Sequence, residues 1–288
     1  MTVLEAIQKS TEFLAKKGVE SPRLQTELLL AHLLKLPRMK LYLNFERALT
    51  PMETGALREF IQRRGRRVPL QHIIGSTSFC GLEIAVNRHA LIPRPETELL
   101  AEEGWSFLST LNSRPSTALD LGTGTGCIAI ALAAKCPEAK ITATDISADT
   151  LVLAGENAAR NGVAERIEFR KGDGFAALPV DARFDLMISN PPYIPSAEIA
   201  TLQPEVRDFD PPAALDGGVD GLDFYRRFSA QAGPFLKPDG KMMLEFGDGQ
   251  AGAIREIFEN EKWIVEALKE DYSHRARILI AKSSSSSS

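Results

Sequence analysis

ALDLGTGTGCIAIALA, residues 118–133, decides the fold. A short apolar stretch runs into Gly122, Gly124 and Gly126, which alternate with Thr123 and Thr125, and a second apolar run follows. The pattern predicts a strand, a tight turn and a helix. Such a turn needs residues without Cβ where backbone and ligand approach closely. The helix that follows points its free N–H groups into the same place. The next strand, KITATDIS, ends at Asp145, 23 residues after Gly122, where a carboxylate can accept from both hydroxyls of a ribose. A nucleoside cofactor site is therefore expected. The spacing is G-x-G-x-G, not the G-x-G-x-x-G of dinucleotide folds. With no His/acid pair evident, an NAD-dependent dehydrogenase is the least favoured reading.

Outward from this stretch, strands and helices alternate. IEFRKGD, FDLMIS and GKMMLEFG read as strands; ADTLVLAGENAARNG, DFYRRFSAQAGPFL and AGAIREIFEN read as helices. That alternation implies an α/β class, a doubly wound, mostly parallel sheet. WIVEAL and ARILIA suggest an antiparallel hairpin at one edge. Residues 1–75 differ in character and read as an all-α helical bundle. One helix carries Val3, Ile7, Phe13 and Leu14; a second has Ser21 as N-cap, Pro22 at its first position and a stripe of Leu24, Leu28, Leu29 and Leu33; a third opens at Thr50-Pro51. Residues 76–92 read as a β-hairpin connector, 93–282 as the main domain, and 283–288 as a disordered serine tail.

Composition bounds the function. The 288 residues are 44% hydrophobic and 25% charged, with a net charge of −4, which does not suggest bulk nucleic-acid binding. Residues 1–75 hold 13 Lys+Arg against 7 Asp+Glu, net +6; the rest hold 21 against 31, net −10. The basic part is either a solvated helical surface or a docking surface for an acidic or RNA-associated partner. Cys80, Cys127 and Cys136 form no CxxC pair, which argues against a disulfide framework or a zinc site and for a reducing, cytoplasmic location. No signal-peptide pattern or membrane-spanning run is expected.

The chemistry lies in NPPY, residues 190–193, at the end of FDLMIS. An amide nitrogen or an exocyclic amino group is a poor nucleophile, because its lone pair is delocalised into a π-system. A site can help by accepting both of its N–H hydrogens. The Asn190 side-chain oxygen and the Pro191 carbonyl suit that task. Pro191 and Pro192 fix the backbone and remove competing donors, and Tyr193 can stack on a flat target. Positioning rather than acid–base chemistry is then the main contribution. DLGTGTG resembles the first motif of S-adenosylmethionine-dependent methyltransferases, and Asp145, with Ile146 beside it, matches their second. The likeness implies that Asp120 sits near the methionine end of the cofactor, although a strand-end turn bond would also account for it. It also implies that Asp173, Gly174 and Phe175 face the adenine, although GDG would also make an ordinary Asx turn.

RVPLQHIIG (67–75), LIPRPETE (91–98), NPPYIP (190–195) and EVRDFDPPAALDGGVDGLDFYRR (205–227) together resemble the HemK/PrmC family. The resemblance covers nearly the whole chain. It implies a Rossmann-like class I methyltransferase domain behind a helical substrate-docking domain. It implies methylation of the glutamine in the Gly-Gly-Gln motif of class I peptide-chain release factors, and a monomer without metal or direct DNA binding is expected. Pro95, Glu96 and Thr97 would line the methionine end of the cofactor, and Arg94 would position that loop or contact substrate. Glu205, Arg207, Asp208 and Asp216 would order the loop after NPPY or contact the glutamine-bearing loop, although a solvated connector would also account for them. A DNA or RNA adenine methyltransferase shares NPPY, but it must flip its base and usually needs a basic groove. A non-catalytic adaptor is disfavoured by the intact NPPY.

Overall fold

A computed structural model describes residues 1–111 and 115–284. The described residues form two compact units, one comprising Met1–Ser76 with Gln203–Phe209, the other the described residues of 77–202 and from Asp210 onward.

The first unit is helical: α1 (Val3–Lys16), α2 (Pro22–Leu34), α3 (Arg38–Leu41), α4 (Pro51–Gly65) and α5 (Leu70–Ile74). Thr2 and Thr50 each close a capping box with Glu5 and Glu53, which satisfies backbone donors at the starts of α1 and α4. Ser21 departs from expectation. It lies in the left-handed region with φ 47°, and its side chain makes no cap hydrogen bond. Thr2 and Thr50 cap from extended backbone, φ −78° and −67°, and the left-handed Ser21 does not offer its hydroxyl to the second and third N–H groups of the helix in that way. The apolar stripe of α2 also differs. Leu29 and Leu30 are wholly buried, whereas Leu24 is 41% exposed. The helix is apolar on several sides, so periodicity alone does not select its inner face. The core packs Val3, Ile7 and Leu14 with Leu29, Leu30, Leu57 and Ile61, while Phe13 remains partly exposed.

The segment Gln203–Phe209 belongs to this helical unit, although its sequence neighbours on both sides do not. Its anchor is Glu205. The carboxylate accepts from Arg64 Nη2 at 2.5 Å and from Arg67 Nε and Nη2 at 2.7 and 2.6 Å. Arg64 is itself buried, and its Nη1 donates to the Val68 carbonyl. Arg207 and Asp208, by contrast, pair with each other in the open.

The second unit begins with a hairpin, β1 (Ser76–Phe79) and β2 (Leu82–Ala85), followed by α6 (Pro95–Ser109). Then come β3 (Thr117–Leu121), α7 (Cys127–Lys135), β4 (Lys140–Asp145), α8 (Ala148–Arg160), β5 (Ile167–Lys171) and β6 (Phe184–Ser189). The helix Asp223–Gln231, β7 (Leu236–Glu245), the helix Ala251–Asn260, β8 (Trp263–Glu270) and β9 (Ala276–Ser283) complete the unit. The strand order is β5-β4-β3-β6-β7-β9-β8. The first five strands in that order are parallel, and β9 runs antiparallel between β7 and β8. The strand order reverses between β3 and β6, so a crevice opens at the carboxyl ends of those two parallel central strands.

Alternation along the strands builds two cores. Ala118, Leu186, Ile188, Ile278 and Ile280 face α6 and α7; Leu119, Met187, Leu279 and Ala281 face the helices Asp223–Gln231 and Ala251–Asn260. Every residue of β6 is buried, as expected of a strand covered on both faces. The helix expected over residues 223–236 stops at Gln231, and Gly233–Phe235 form a 3-10 turn containing Pro234, which cannot continue the α-helical ladder. Of the expected serine tail, Ser283 closes β9, and residues 285–288 lie outside the described residues.

Candidate active site

β3 ends at Leu121 and α7 begins at Cys127, with the glycine turn between them. Gly126 has φ +82°, and a Cβ there would lie 3.1 Å from both Ala154 Cβ and Ile130 Cδ1. Glycine is thus required by backbone and packing together. Asn157, buried in α8, holds the turn from behind. Its Nδ2 donates to the Thr125 carbonyl at 2.9 Å and to the Ala85 carbonyl at 3.0 Å. A lone asparagine in a helix interior was the only sequence signal for this role.

Asp120 is wholly buried. Its Oδ2 accepts from the Thr123 hydroxyl at 2.6 Å and the Ala129 N–H at 3.2 Å, and its Oδ1 has no partner. Burial pushes the Asp120 carboxyl up to about 7 against those two hydrogen bonds, and the charge of Asp145 adds to the rise. Asp145 closes β4, and its carboxylate accepts from the Gly124 N–H at 3.1 Å and the Ser147 N–H at 3.0 Å. Ile146, next in sequence, is 60% exposed, an apolar side chain open to a ligand.

A cavity of about 560 Å³ occupies the crevice, within the range of sites for small molecules. Its walls include Gly122, Thr123, Gly124 and Thr125 of the turn, Asp145 and Ile146, Asp173 and Gly174, and Asn190, Pro191 and Pro192. Arg94 and Thr97 also line it, and the wall as a whole brings together residues as far apart in sequence as Arg88 and Arg227. The Ser189 hydroxyl donates to the Leu121 carbonyl at 2.6 Å and ties the two strand ends together.

Several expected site residues stand elsewhere. Phe175 is buried in the second core, stacked on Phe235 with centroids 5.1 Å apart. Tyr193 packs against that same core, and burial, helped by the charge of Glu245, pushes its phenol up to about 12. Neither ring lines the cavity, because the core behind it takes them. Pro95, Glu96, Asp120 and Gly126 also lie off the cavity wall. Phe224 and Arg227, which sequence reasoning missed, do line it. Arg227 Nη1 donates to Asp173 Oδ2 at 2.9 Å. Phe224 stacks on Phe228 at 4.4 Å, so its ring has a fixed support. Their i, i+3 and i, i+4 spacing was visible, but which face of the helix meets the cavity was not.

The loops around the cavity are pinned. Arg94 Nη2 donates to the buried Asp210 Oδ2 at 2.6 Å. After NPPY, the Ile194 N–H donates to the Leu215 carbonyl, the Gly217 N–H to the Ile194 carbonyl, and the Ser196 hydroxyl to Asp216 at 2.6 Å. Asp216 therefore orders the loop, while Glu205 anchors its later part in the helical unit. Among the described residues, no group of His, Cys, Asp and Glu could hold a metal ion, and no helix is long and apolar enough to cross a membrane.

The sheet order and the crevice define a class I methyltransferase domain, and its fold is similar to that of a methyltransferase from Pyrococcus furiosus (TM-score 0.51, 22% identity, covering 71% of this chain and 90% of that one). Residues 104–203 match the methyltransferase small domain, and residues 5–75 match the PrmC N-terminal domain. The release factor glutamine methyltransferase of Geobacter sulfurreducens is 45% identical over 259 residues, covering 89% of this chain and 88% of its own length. That of Cereibacter sphaeroides is 39% identical over 282 residues, covering 98% and 99%. The chain belongs to the release factor glutamine methyltransferase family.

Proposed function

We propose that this chain transfers a methyl group from S-adenosylmethionine to the side-chain amide nitrogen of the glutamine in the Gly-Gly-Gln motif of class I release factors. The observation that carries the reading is the position of Asn190 and Pro191 on the wall of the cavity that the glycine turn and Asp145 also line. Asp145 accepts the ribose hydroxyls, Ile146 and Phe224 enclose the adenine, and Asp173 with the Gly174 backbone reads its edge. Asp120 and Thr97 lie toward the methionine end, with Arg94 at the substrate side. S-adenosylmethionine, when bound, supplies an electrophilic methyl on a positively charged sulfur.

Asn190 Oδ1 and the Pro191 carbonyl accept the two N–H hydrogens of the glutamine amide and hold its nitrogen in line for transfer. Pro192 stiffens the turn, and Tyr193 supports it from the core side. Attack would need no charged base: the S–CH₃ bond would break as the C–N bond forms, leaving a neutral thioether, and the amide nitrogen would then give its extra proton to water. The net +6 of residues 1–75 suits an acidic protein surface, whereas the net −10 of the remainder disfavours a nucleic-acid substrate. In this reading the enzyme works as a monomer in the cytoplasm.

The test is methyl transfer from labelled S-adenosylmethionine to a purified class I release factor, beside its Gly-Gly-Ala variant and duplex DNA. Label on the wild-type factor alone is expected. Label on DNA alone overturns the reading in favour of an adenine methyltransferase.

A further inference from the structure

Asp173 opens the 3-10 turn Gly174–Ala177 from extended backbone, with φ −88° and ψ 106°, the form from which an aspartate ordinarily caps. Its side chain makes no cap bond, so the Asx turn that GDG would allow is not formed. Instead, Asp173 Oδ2 accepts from Arg227 Nη1 at 2.9 Å, and among the described residues no hydrogen bond reaches Oδ1. The two side chains are 56% and 42% exposed, and a pair so open to water adds little stability. Both residues nevertheless line the cavity.

The backbone on either side is held without this pair. Phe175 packs on Phe228 with centroids 4.9 Å apart and stacks on Phe235. Phe228 follows Arg227 on the helix Asp223–Gln231, and Phe224, one turn earlier, stacks on Phe228. Loop and helix are thus joined twice, by rings in the core and by the ion pair at the cavity wall. Arg227 Cζ lies 5.8 Å from the centroid of Phe224, which gives the guanidinium an aromatic support of its own. Gly174 sits between the two joints at φ +57°, and a Cβ there would meet only Arg227 Nη2, at 3.9 Å. With the rings fixing the main chain, what Arg227 fixes is the direction of the Asp173 carboxylate. An ionised carboxylate can only accept hydrogen bonds. With Oδ2 engaged, Oδ1 is left to accept from a ligand edge that carries N–H hydrogens, and it repels a carbonyl oxygen in the same place.

We propose that Arg227 is a specificity-determining positioning residue for the cofactor: by holding Asp173 Oδ2, it keeps Oδ1 as the acceptor for the 6-amino group of adenine, so that the site rejects a 6-oxo purine. This inference rests on the placement of the adenine beside Asp173 given above, and not on the identity of the methyl acceptor. Without Arg227, the carboxylate is free to turn back onto the N–H groups of the 3-10 turn or out into water, and the amino group is no longer read.

The test is calorimetric binding of S-adenosylhomocysteine beside its deaminated analogue S-inosylhomocysteine, in which an oxygen replaces the 6-amino group. The wild type is expected to prefer the adenine form by about thirtyfold or more, the scale of a hydrogen bond to a charged group. Arg227→Met keeps an apolar stem over Phe224 and removes the donors; its preference is expected to fall at least about fivefold. Arg227→Lys returns a charged donor to a contact made through one nitrogen, and its preference is expected to stay within about threefold of wild type. Asp173→Asn, whose amide can turn either its oxygen or its NH₂ to the purine, should fall as far as Arg227→Met, and the double variant no further. A merely structural role for Arg227 would weaken both ligands alike and leave their ratio unchanged. That result, or a wild type indifferent to the 6-position, overturns the proposal. A protein that shows the expected ratios but leaves release factor unmethylated overturns the functional reading instead, and the role of Arg227 stands.

Discussion

Gln250 holds Tyr193 by its main chain: Gln250 Nε2 donates to the Tyr193 carbonyl at 2.9 Å, while Gln250 Oε1 accepts from the Gly247 N–H at 2.9 Å. One amide thus joins the loop after β7 to the end of NPPY. Gly221 packs into the same corner. A Cβ there would lie 2.3 Å from the Tyr193 carbonyl oxygen, at φ +77°.

Removing this amide should loosen the turn without emptying the cofactor site. Gln250→Ala is expected to cost about 1–2 kcal/mol in urea unfolding, from two partly buried groups left without partners. It should also lower kcat for methyl transfer about tenfold, since positioning at the turn carries the rate. A variant with unchanged kcat means that the proline pair alone holds the turn.

Asn190→Ala and Asp145→Ala should separate chemistry from cofactor binding. The first is expected to abolish transfer while S-adenosylmethionine affinity, read by calorimetry, stays near wild type. The second is expected to weaken that affinity by about 1–3 kcal/mol, the cost of losing a charged acceptor. Normal turnover by Asn190→Ala removes it from the reacting centre; unchanged affinity in Asp145→Ala removes it from the ribose.

Phe224, rather than Phe175, is expected to be the aromatic residue that cofactor binding feels. Phe224→Ala should weaken affinity for S-adenosylhomocysteine by about 1 kcal/mol or more, the scale of a lost aromatic contact. Phe175→Ala should instead lower stability by about 3–5 kcal/mol, as for a large cavity in a core. Equal losses of affinity in the two folded variants would return Phe175 to the site.

Glu205 gives the helical unit a pH dependence. Burial raises its carboxyl, but hydrogen bonds from Arg67 and Arg64 outweigh burial and hold it below its ordinary value. A depressed carboxyl contributes stability that is present above its unfolded value of about 4.3 and is lost as pH falls through the lower folded value. At neutral pH, Glu205→Gln is expected to cost about 3 kcal/mol, because the buried Arg64 loses its counter-charge. The gap from wild type should close as unfolding curves are taken down toward pH 3, a window set by that same carboxyl. A gap that stays constant across it means the ion pairs do not carry the stability.

Much of the fold was legible because its signals are local. A glycine turn between an apolar strand and an apolar helix, an acid at the next strand end and β6 apolar along nearly its whole length need only neighbours in sequence to be read. The capping boxes at Thr2 and Thr50 are local in the same sense. Ser21 was misread because its backbone is left-handed, not the extended form from which Thr2 and Thr50 cap, and residue type alone does not reveal that. Leu24 was misread because a helix apolar on several sides leaves its facing to whatever packs against it.

The sequence by itself determined the class of sheet, the glycine turn, Asp145 and the NPPY turn, since hydrophobic period, backbone freedom and amide chemistry are written in consecutive residues. Tertiary structure alone decided which rings reach the cavity. It took Phe175 and Tyr193 toward the second core while setting Phe224 on the cavity wall, joined Thr97 of α6 to Asn190, and moved Glu205 into the helical unit. Burial and hydrogen-bond direction depend on which distant segments meet, and residues 97 and 190 share no local pattern that would announce it.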